Sequence, residues 1–255
     1  MSKEVCVVTG GASGIGLGAA MAMARSGATV AILDKRAEAC ASALEEMKRA
    51  SLTAHSYVVD VTDPVAVNAA AESIEAELGP VTGLVTSAGI SIPGAPEHMP
   101  LEDWQAVMDV GVTGIFICCQ AFGRYMLERK RGAIVIVSSI AGFGCAPNRP
   151  NYTASKWAAM GLTKSLAVCW ADRNVRVNCL APGFVDTPLA RASTGGWQDI
   201  LMSRNPMGRS ASPDEIGNVV QFMLSDASSY MTGNIMAVDG GQTSSHFHSR
   251  EPVPS

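Results

Sequence analysis

The 255-residue sequence predicts a doubly wound α/β fold: about seven parallel strands in one sheet, with helices on both faces. Short apolar runs recur near residues 5–9, 29–33, 56–60, 82–86, 133–137, 175–180 and 235–238. Helical patterns fill the intervals, the order expected of βαβ units with right-handed crossovers. Hydrophobic residues make up 47% of the chain and charged ones 16%, the balance of a sheet covered on both sides. Neither an internal repeat nor a low-complexity linker interrupts the alternation, so one domain is expected over residues 1–242. Residues 243–255 read as a flexible tail.

The first unit runs from Val5-Cys6-Val7-Val8-Thr9 into Gly10-Gly11-Ala12-Ser13-Gly14-Ile15-Gly16 and then an Ala/Met-rich helix. Glycines between strand and helix let a backbone approach a pyrophosphate, and the helix N-terminus attracts its charge. Gly10, Ser13, Gly14, Ile15 and Gly16 are therefore candidate cofactor-binding residues, and the sheet is expected to be of the Rossmann type. Asp34 closes the second run, 18 residues after Gly16. A carboxylate there accepts hydrogen bonds from both ribose hydroxyls and repels a 2′-phosphate, so NAD is expected rather than NADP. Lys35 and Arg36 follow it and partly offset that repulsion. Asp60 and Val61 close the third run, where they can meet an adenine. Ser87, Ala88 and Gly89 follow the fourth, small enough for a cofactor's ribose to pass closely.

The stretch Ile134–Trp157 carries the chemistry. Ile134-Val135-Ile136-Val137 reads as a strand buried on both faces. Ser138 and Ser139 end it, and Gly142, Gly144 and Pro147 mark a loop. Asn151 is expected to cap the next helix, which carries Tyr152 and Lys156 on one face at a spacing of four. A phenol is an indifferent acid–base group near neutrality, and an adjacent ammonium favours its ionised form. A serine hydroxyl beside the phenol can hold a carbonyl or hydroxyl oxygen. Ser139, Tyr152 and Lys156 are thus candidate catalytic residues for a C=O/CH–OH pair. Tyr-x-x-x-Lys is common on ordinary helices, and only its place in this chain gives it weight.

Taken together, Thr9-Gly-x-x-x-Gly14-x-Gly16, Asp60, Ala88-Gly89, Ser139, Tyr152-x-x-x-Lys156, Asn178 and Pro182-Gly183 resemble the short-chain dehydrogenase/reductase family. The likeness runs from about Val5 to Gly241, and the 13-residue gap from Ser139 to Tyr152 is the family's own. It implies that Tyr152 is the acid/base, that Lys156 supports it and binds the nicotinamide ribose, and that Ser139 orients the substrate oxygen. It also implies that Pro182, Gly183, Val185 and Thr187 hold the nicotinamide end. The expected activity is hydride transfer between NAD(H) and a secondary alcohol or ketone: a polyol, sugar alcohol or small ketone. The alternatives are an NADP-dependent 3-oxoacyl reductase and a dinucleotide-binding regulator whose catalysis has decayed.

Two positions depart from the family pattern. Thr86-Ser87-Ala88-Gly89 stands where Asn-Asn-Ala-Gly or Asn-Ser-Ala-Gly is usual. Gly111, in Asp109-Val110-Gly111-Val112-Thr113-Gly114, replaces an asparagine that helps hold a water between the lysine and solvent. A mid-helix glycine costs roughly 1 kcal/mol against alanine or allows a kink. Trp197, Phe184, Cys145, Ala146 and Arg149 are candidates for the substrate wall. The fourth and fifth crossover helices form the subunit interface in many members of the family, so a homotetramer is expected.

Other classes are disfavoured. A net charge of −4 without a basic stripe argues against nucleic acid. No uninterrupted apolar stretch approaches a membrane span, and Met1-Ser2-Lys3-Glu4 leads directly into a strand-like run without a signal peptide. A cytoplasmic enzyme is the expectation. Seven cysteines without C-x-x-C or metal-ligand spacing read as reduced, mostly buried thiols, and no metal site is expected.

Overall fold

The computed structural model describes residues 4–194, 203 and 205–244. Seven strands form one parallel sheet in the order β3-β2-β1-β4-β5-β6-β7. They are β1 (Val5–Thr9), β2 (Thr29–Asp34), β3 (Ala54–Val58), β4 (Val81–Thr86), β5 (Gly132–Val137), β6 (Val175–Pro182) and β7 (Ile235–Val238). The helices between them are α1 (Gly14–Arg25), α2 (Ala37–Arg49), α3 (Pro64–Glu77), α4 (Leu101–Met108), α5 (Gly114–Arg129), α6 (Pro150–Trp170), α7 (Pro188–Thr194) and α8 (Pro213–Leu224). The strand order reverses between β1 and β4, which opens a crevice at the carboxyl ends of the strands.

The apolar runs of β1, β4 and β5 are buried on both faces because each face carries its own core. On one side Val67 and Ile74 of α3, Cys118, Phe122 and Met126 of α5, and Ala159 of α6 pack on the sheet. On the other side Ala20 and Met23 of α1, Met47 of α2, and Ile216 and Met223 of α8 do the same. The one displaced strand is β3, which ends at Val58 rather than near residue 60. It lies at the sheet edge with β2 as its sole partner, so the apolar run Tyr57-Val58-Val59 is no guide to where pairing stops. Val59, just past the strand, still donates its N–H to Asp34 O at 3.1 Å.

Helix starts follow their sequence signals where those are strong. Asp63 accepts from the N–H groups of Val65 and Ala66 ahead of Pro64, and Ser212 with Glu215 forms a capping box at α8. The expected cap of α6 is different. Its N-cap is Arg149, Pro150 occupies the first turn, and Asn151 lies inside the helix.

Gly111 sits in a π-turn, Asp109–Thr113, that joins α4 to α5, a local departure from α-helical winding. Leu101–Arg129 is thereby one helical stretch of 29 residues, long and apolar enough to cross a membrane. The stretch is not an uninterrupted apolar run, since Asp103, Asp109, Gln120 and Arg124 break it. Half of its most apolar window is buried inside the molecule, against the sheet, which makes it a core helix. All seven cysteines are free, and Cys145 and Cys169 are exposed while the other five are buried. Burial raises the Cys6 and Cys118 thiols to about 12. The start of the expected tail is ordered: Gln242–Ser244 makes a 3₁₀ turn, with Thr243 N–H donating to Asp239 Oδ2 at 2.7 Å.

Candidate active site

A cleft of about 460 Å³ runs along the carboxyl edge of the strands. It brings together Gly10, Ser13, Gly14, Ile15, Asp34, Asp60, Val61, Ser87, Ala88, Gly89, Tyr152, Lys156 and Thr187 from the residues expected of the site. Gly16, Ser139, Pro182, Gly183 and Val185 do not line it.

At one end the walls are main chain. Gly10 has φ +62°, and a Cβ there would stand 2.7 Å from the Ala88 Cα, so no side chain fits between the β1 and β4 loops. Gly16 has a packing role: its Cβ would meet Gly10 O at 2.2 Å, which is how α1 starts directly on the turn. The first turn of α1 has no acidic residue, and its N-cap Ser13 makes no side-chain cap. Those N–H groups are the donors an incoming pyrophosphate needs. The residues present therefore fit a dinucleotide.

Asp34 ends β2 with its side chain 7% exposed, and it is already engaged. Arg36 N–H and Nε donate to Oδ1 at 3.1 and 3.2 Å, and Arg36 Nη2 reaches Ser13 Oγ at 3.1 Å. The hydrogen bond to Asp34 raises the Arg36 guanidinium above its ordinary value. In the sequence Arg36 shows only its charge. Its reach back to the glycine-rich turn is a tertiary contact with no local signature. Asp60 accepts from the Thr62 N–H at 3.0 Å and its hydroxyl at 2.7 Å, which hold its carboxyl below the usual range, with Lys35 adding a smaller effect.

At the other end the walls are side chains. Lys156 is 7% exposed and donates through Nζ to Val137 O at 3.1 Å. An ammonium has three donors, so two remain for the cleft, where a Cβ on Gly89 would stand 3.9 Å from Nζ. Lys156 Nζ also lies 5.4 Å from the centroid of the Tyr152 ring, near enough for a favourable cation–π contact. Ser138 Oγ donates to Lys156 O at 2.9 Å and ties α6 to the end of β5. Ser139 stands at the start of the 3₁₀ turn Ile140–Gly142, its Oγ accepting from Ala141 N–H at 3.1 Å. Its hydroxyl proton is left to donate elsewhere.

Asn151, expected to be a cap, is instead a fully buried bridge. Nδ2 donates to Ile92 O at 3.1 Å and Asp103 O at 3.3 Å, and Oδ1 accepts from Tyr152 N–H at 2.7 Å. It fastens the first turn of α6 to the loop after β4 and to α4. Asn suits both a cap and a buried bridge, so sequence alone does not separate them. Asn178 of β6 is structural too: its amide donates to Met231 O at 2.7 Å and accepts from Asn234 N–H at 3.0 Å.

The Val185 side chain belongs to the core. Its parallel bridge to Ala211 uses Asp186 N–H and Phe184 C=O, which leaves the Val185 main-chain groups pointing the other way. Pro182 ends β6, and a Cβ on Gly183 would meet Asp239 Cα at 2.7 Å. Ile90, Val110, Pro188 and Leu189 also line the cleft without having been singled out in the sequence. Pro188 after Thr187, a helix-starting pair, was the available signal. Of the expected substrate wall, Trp197 lies outside the described residues.

A family model described as enoyl-(acyl carrier protein) reductase matches residues 10–243. The chain is 38% identical over 241 residues to the 3-oxoacyl-[acyl-carrier-protein] reductase of Thermotoga maritima, covering 94% of this chain and 98% of that one. It is 44% identical over 246 residues to the galactitol 2-dehydrogenase (L-tagatose-forming) of Cereibacter sphaeroides, covering 92% and 93% respectively. A solved gluconate 5-dehydrogenase from Burkholderia cenocepacia, in complex with NADP and tartrate, superposes with a TM-score of 0.90 at 33% identity. That match covers 96% of this chain and 97% of the other.

Proposed function

Since the chain belongs to the short-chain dehydrogenase/reductase family, nicotinamide-dinucleotide oxidoreductases with this Rossmann-type sheet, we propose that it interconverts a secondary alcohol and a ketone with NAD(H). The substrate class proposed is polyols, sugar alcohols and small ketones. The observation that carries this reading is the single cleft that holds Asp34 at one end and Tyr152 with Lys156 at the other.

In this reading the bound nicotinamide supplies or accepts the hydride. Tyr152 gives its phenolic proton to the substrate oxygen on reduction and takes it back on oxidation. Lys156 stands beside the Tyr152 ring and offers its free donors to the ribose. Ser139, with its acceptor side engaged by Ala141, donates its hydroxyl to the substrate oxygen. Asp34 accepts from the adenosine ribose hydroxyls, which requires Arg36 to give up part of its hold on the carboxylate. The Val185 main-chain groups, turned away from the bridge to Ala211, serve the nicotinamide carboxamide.

Arg36 is also the observation that favours the second reading, an NADP-dependent 3-oxoacyl reductase, because a guanidinium at the ribose can pair with a 2′-phosphate. The test follows absorbance at 340 nm with both cofactors over polyols, ketones and β-ketoesters. The proposal expects higher kcat/KM with NAD(H) and turnover of polyols or simple ketones. Preference for NADPH with β-ketoesters would replace it by the second reading. NADH binding without turnover of any substrate would point to a decayed binding protein.

A further inference from the structure

Arg149 stands beside the substrate end of the cleft, next to the residues that line it. Arg149 is the N-cap of α6, three residues before Tyr152, and residues three apart at a helix start share a face. Its guanidinium is partly buried, and Nη2 donates to Ser193 O in α7, one turn beyond Leu189 of the cleft wall. Arg149 therefore spans from the helix that carries the phenol to the helix that closes the cleft.

Among the described residues no carboxylate pairs with it. The exposed arginines Arg25, Arg36, Arg191 and Arg209 each have an acidic partner. Among the described residues the carboxylates lining the cleft are Asp34 and Asp60, both at the far end. Asp186, the acidic residue nearest in sequence to the wall of α7, is held by Arg191 Nε at 2.7 Å. A partly buried guanidinium that gives one bond to a neutral carbonyl has four N–H donors left and a charge without a partner. The uncapped N-terminus of α6 beside it adds to the same sign of potential.

We infer that Arg149 is a specificity-determining residue that pairs with a carboxylate on the substrate, so that the preferred substrates are hydroxycarboxylates and the matching oxocarboxylates. This deepens the proposed function and rests on it. The phenol at Tyr152 takes the reacting oxygen. Arg149, close to it on the same helix, takes the carboxylate as a planar, charge-assisted pair. The carboxylate must then lie a few bonds from the carbinol carbon.

The test uses matched pairs, each an acid and its primary amide: 3-hydroxybutyrate, 4-hydroxypentanoate and gluconate. The readout is the acid-to-amide ratio of kcat/KM in wild type, Arg149→Met and Arg149→Lys. We expect the ratio to favour the acid at least about tenfold in wild type, to approach one in Arg149→Met through a rise in KM for the acid, and to recover partly in Arg149→Lys. Rising salt should lower the wild-type ratio. A role for Arg149 confined to strapping α7 in place would lower both members together and leave the ratio unchanged.

The same pairs are titrated into the NADH-loaded protein by the fluorescence of the dinucleotide, which requires no turnover. Tighter binding of the acids that disappears in Arg149→Met, without turnover of any pair, would uphold the site and sink the dehydrogenase reading. Turnover with an acid-to-amide ratio near one in wild type, or a ratio untouched in Arg149→Met, would overturn the inference and leave the dehydrogenase reading standing. If Arg149→Met fails to fold, Arg149→Lys and the salt dependence of the wild-type ratio decide the matter.

Discussion

The two ends of the cleft are built from different materials. Around Gly10, Gly14 and Ala88 the wall is main chain, fixed where a Cβ would collide or where φ must be positive. Around Tyr152 it is side chains on a helix start and on loops, fixed by hydrogen bonds from Asn151, Ser138 and Lys156. A main-chain wall accepts one kind of residue at each point and is nearly independent of what binds elsewhere. A side-chain wall admits many solutions of equal stability. The first end should tolerate little change and discriminate among dinucleotides, while the second sets the reaction and the substrate.

The sharpest test of that division is Tyr152→Phe. The phenol is expected to carry the proton and the ring to carry the packing. Turnover should fall about 10²–10⁴-fold, while NADH binding, measured by fluorescence titration, stays close to wild type. A Phe variant with near-normal kcat would remove Tyr152 from the chemistry and leave the side-chain end without its acid/base.

Asn151 asks whether the Tyr152 end is held as firmly as it looks. Asn151→Ala deletes three hydrogen bonds at a fully buried site and takes the side-chain partner from the Tyr152 N–H and the Ile92 carbonyl. The expected loss is about 1–3 kcal/mol in urea unfolding, with a further fall in kcat as the first turn of α6 loosens around the phenol. A loss of stability with kcat unchanged would mean that Tyr152 is positioned from Lys156 and β5 instead.

The Asp34 end is probed by exchanging its charge. Wild type should prefer NAD(H), and Asp34→Ser should narrow the preference by roughly tenfold. The substitution removes the repulsion of a 2′-phosphate and releases Arg36 to pair with it. Arg36→Ala in that background should take back most of the gain for NADP(H). A cofactor ratio unmoved by Asp34→Ser would assign the carboxylate to holding Arg36 and Ser13 and no more.

What could be read from the sequence follows the same division. The strand runs, the crossover helices and the Gly10–Gly16 turn were legible because burial on two faces and close backbone approach each exclude most residue types. The end of β3 was not, since an edge strand is half-solvated and its apolar residues continue past the last pair. Nor was the role of Asn151, an amide that serves a cap and a bridge equally well. Arg36 closing on Ser13 and Arg149 reaching Ser193 depend on which loops meet across the crevice. That is set by the folded sheet and leaves no spacing to recognise.

Gly111 belongs to neither end and yields the smallest expected effect. Helix propensity alone says that alanine or asparagine there should stabilise by up to roughly 1 kcal/mol. The structure opposes this gain. Gly111 is buried in the π-turn, and a Cβ would stand 3.1 Å from both Cβ and Oγ of Ser155. Ser155 has little room to yield, because its hydroxyl donates to Tyr152 O at 2.8 Å. Overpacking of this kind costs about 1–3 kcal/mol when the neighbour cannot move. Gly111→Ala should therefore leave the melting temperature unchanged or lower it by a few degrees, and Ser155→Ala in that background should recover part of the loss by relieving the contact with Oγ. Gly111→Asn adds the amide that the family places there, and it should raise kcat if a water held at this point links Lys156 to solvent. Comparing kcat, the solvent isotope effect and the melting temperature of the two single variants separates packing from proton relay. A rise in melting temperature for Gly111→Ala would show that Ser155 gives way easily, and equal kcat and isotope effect in both variants would remove the relay from the account.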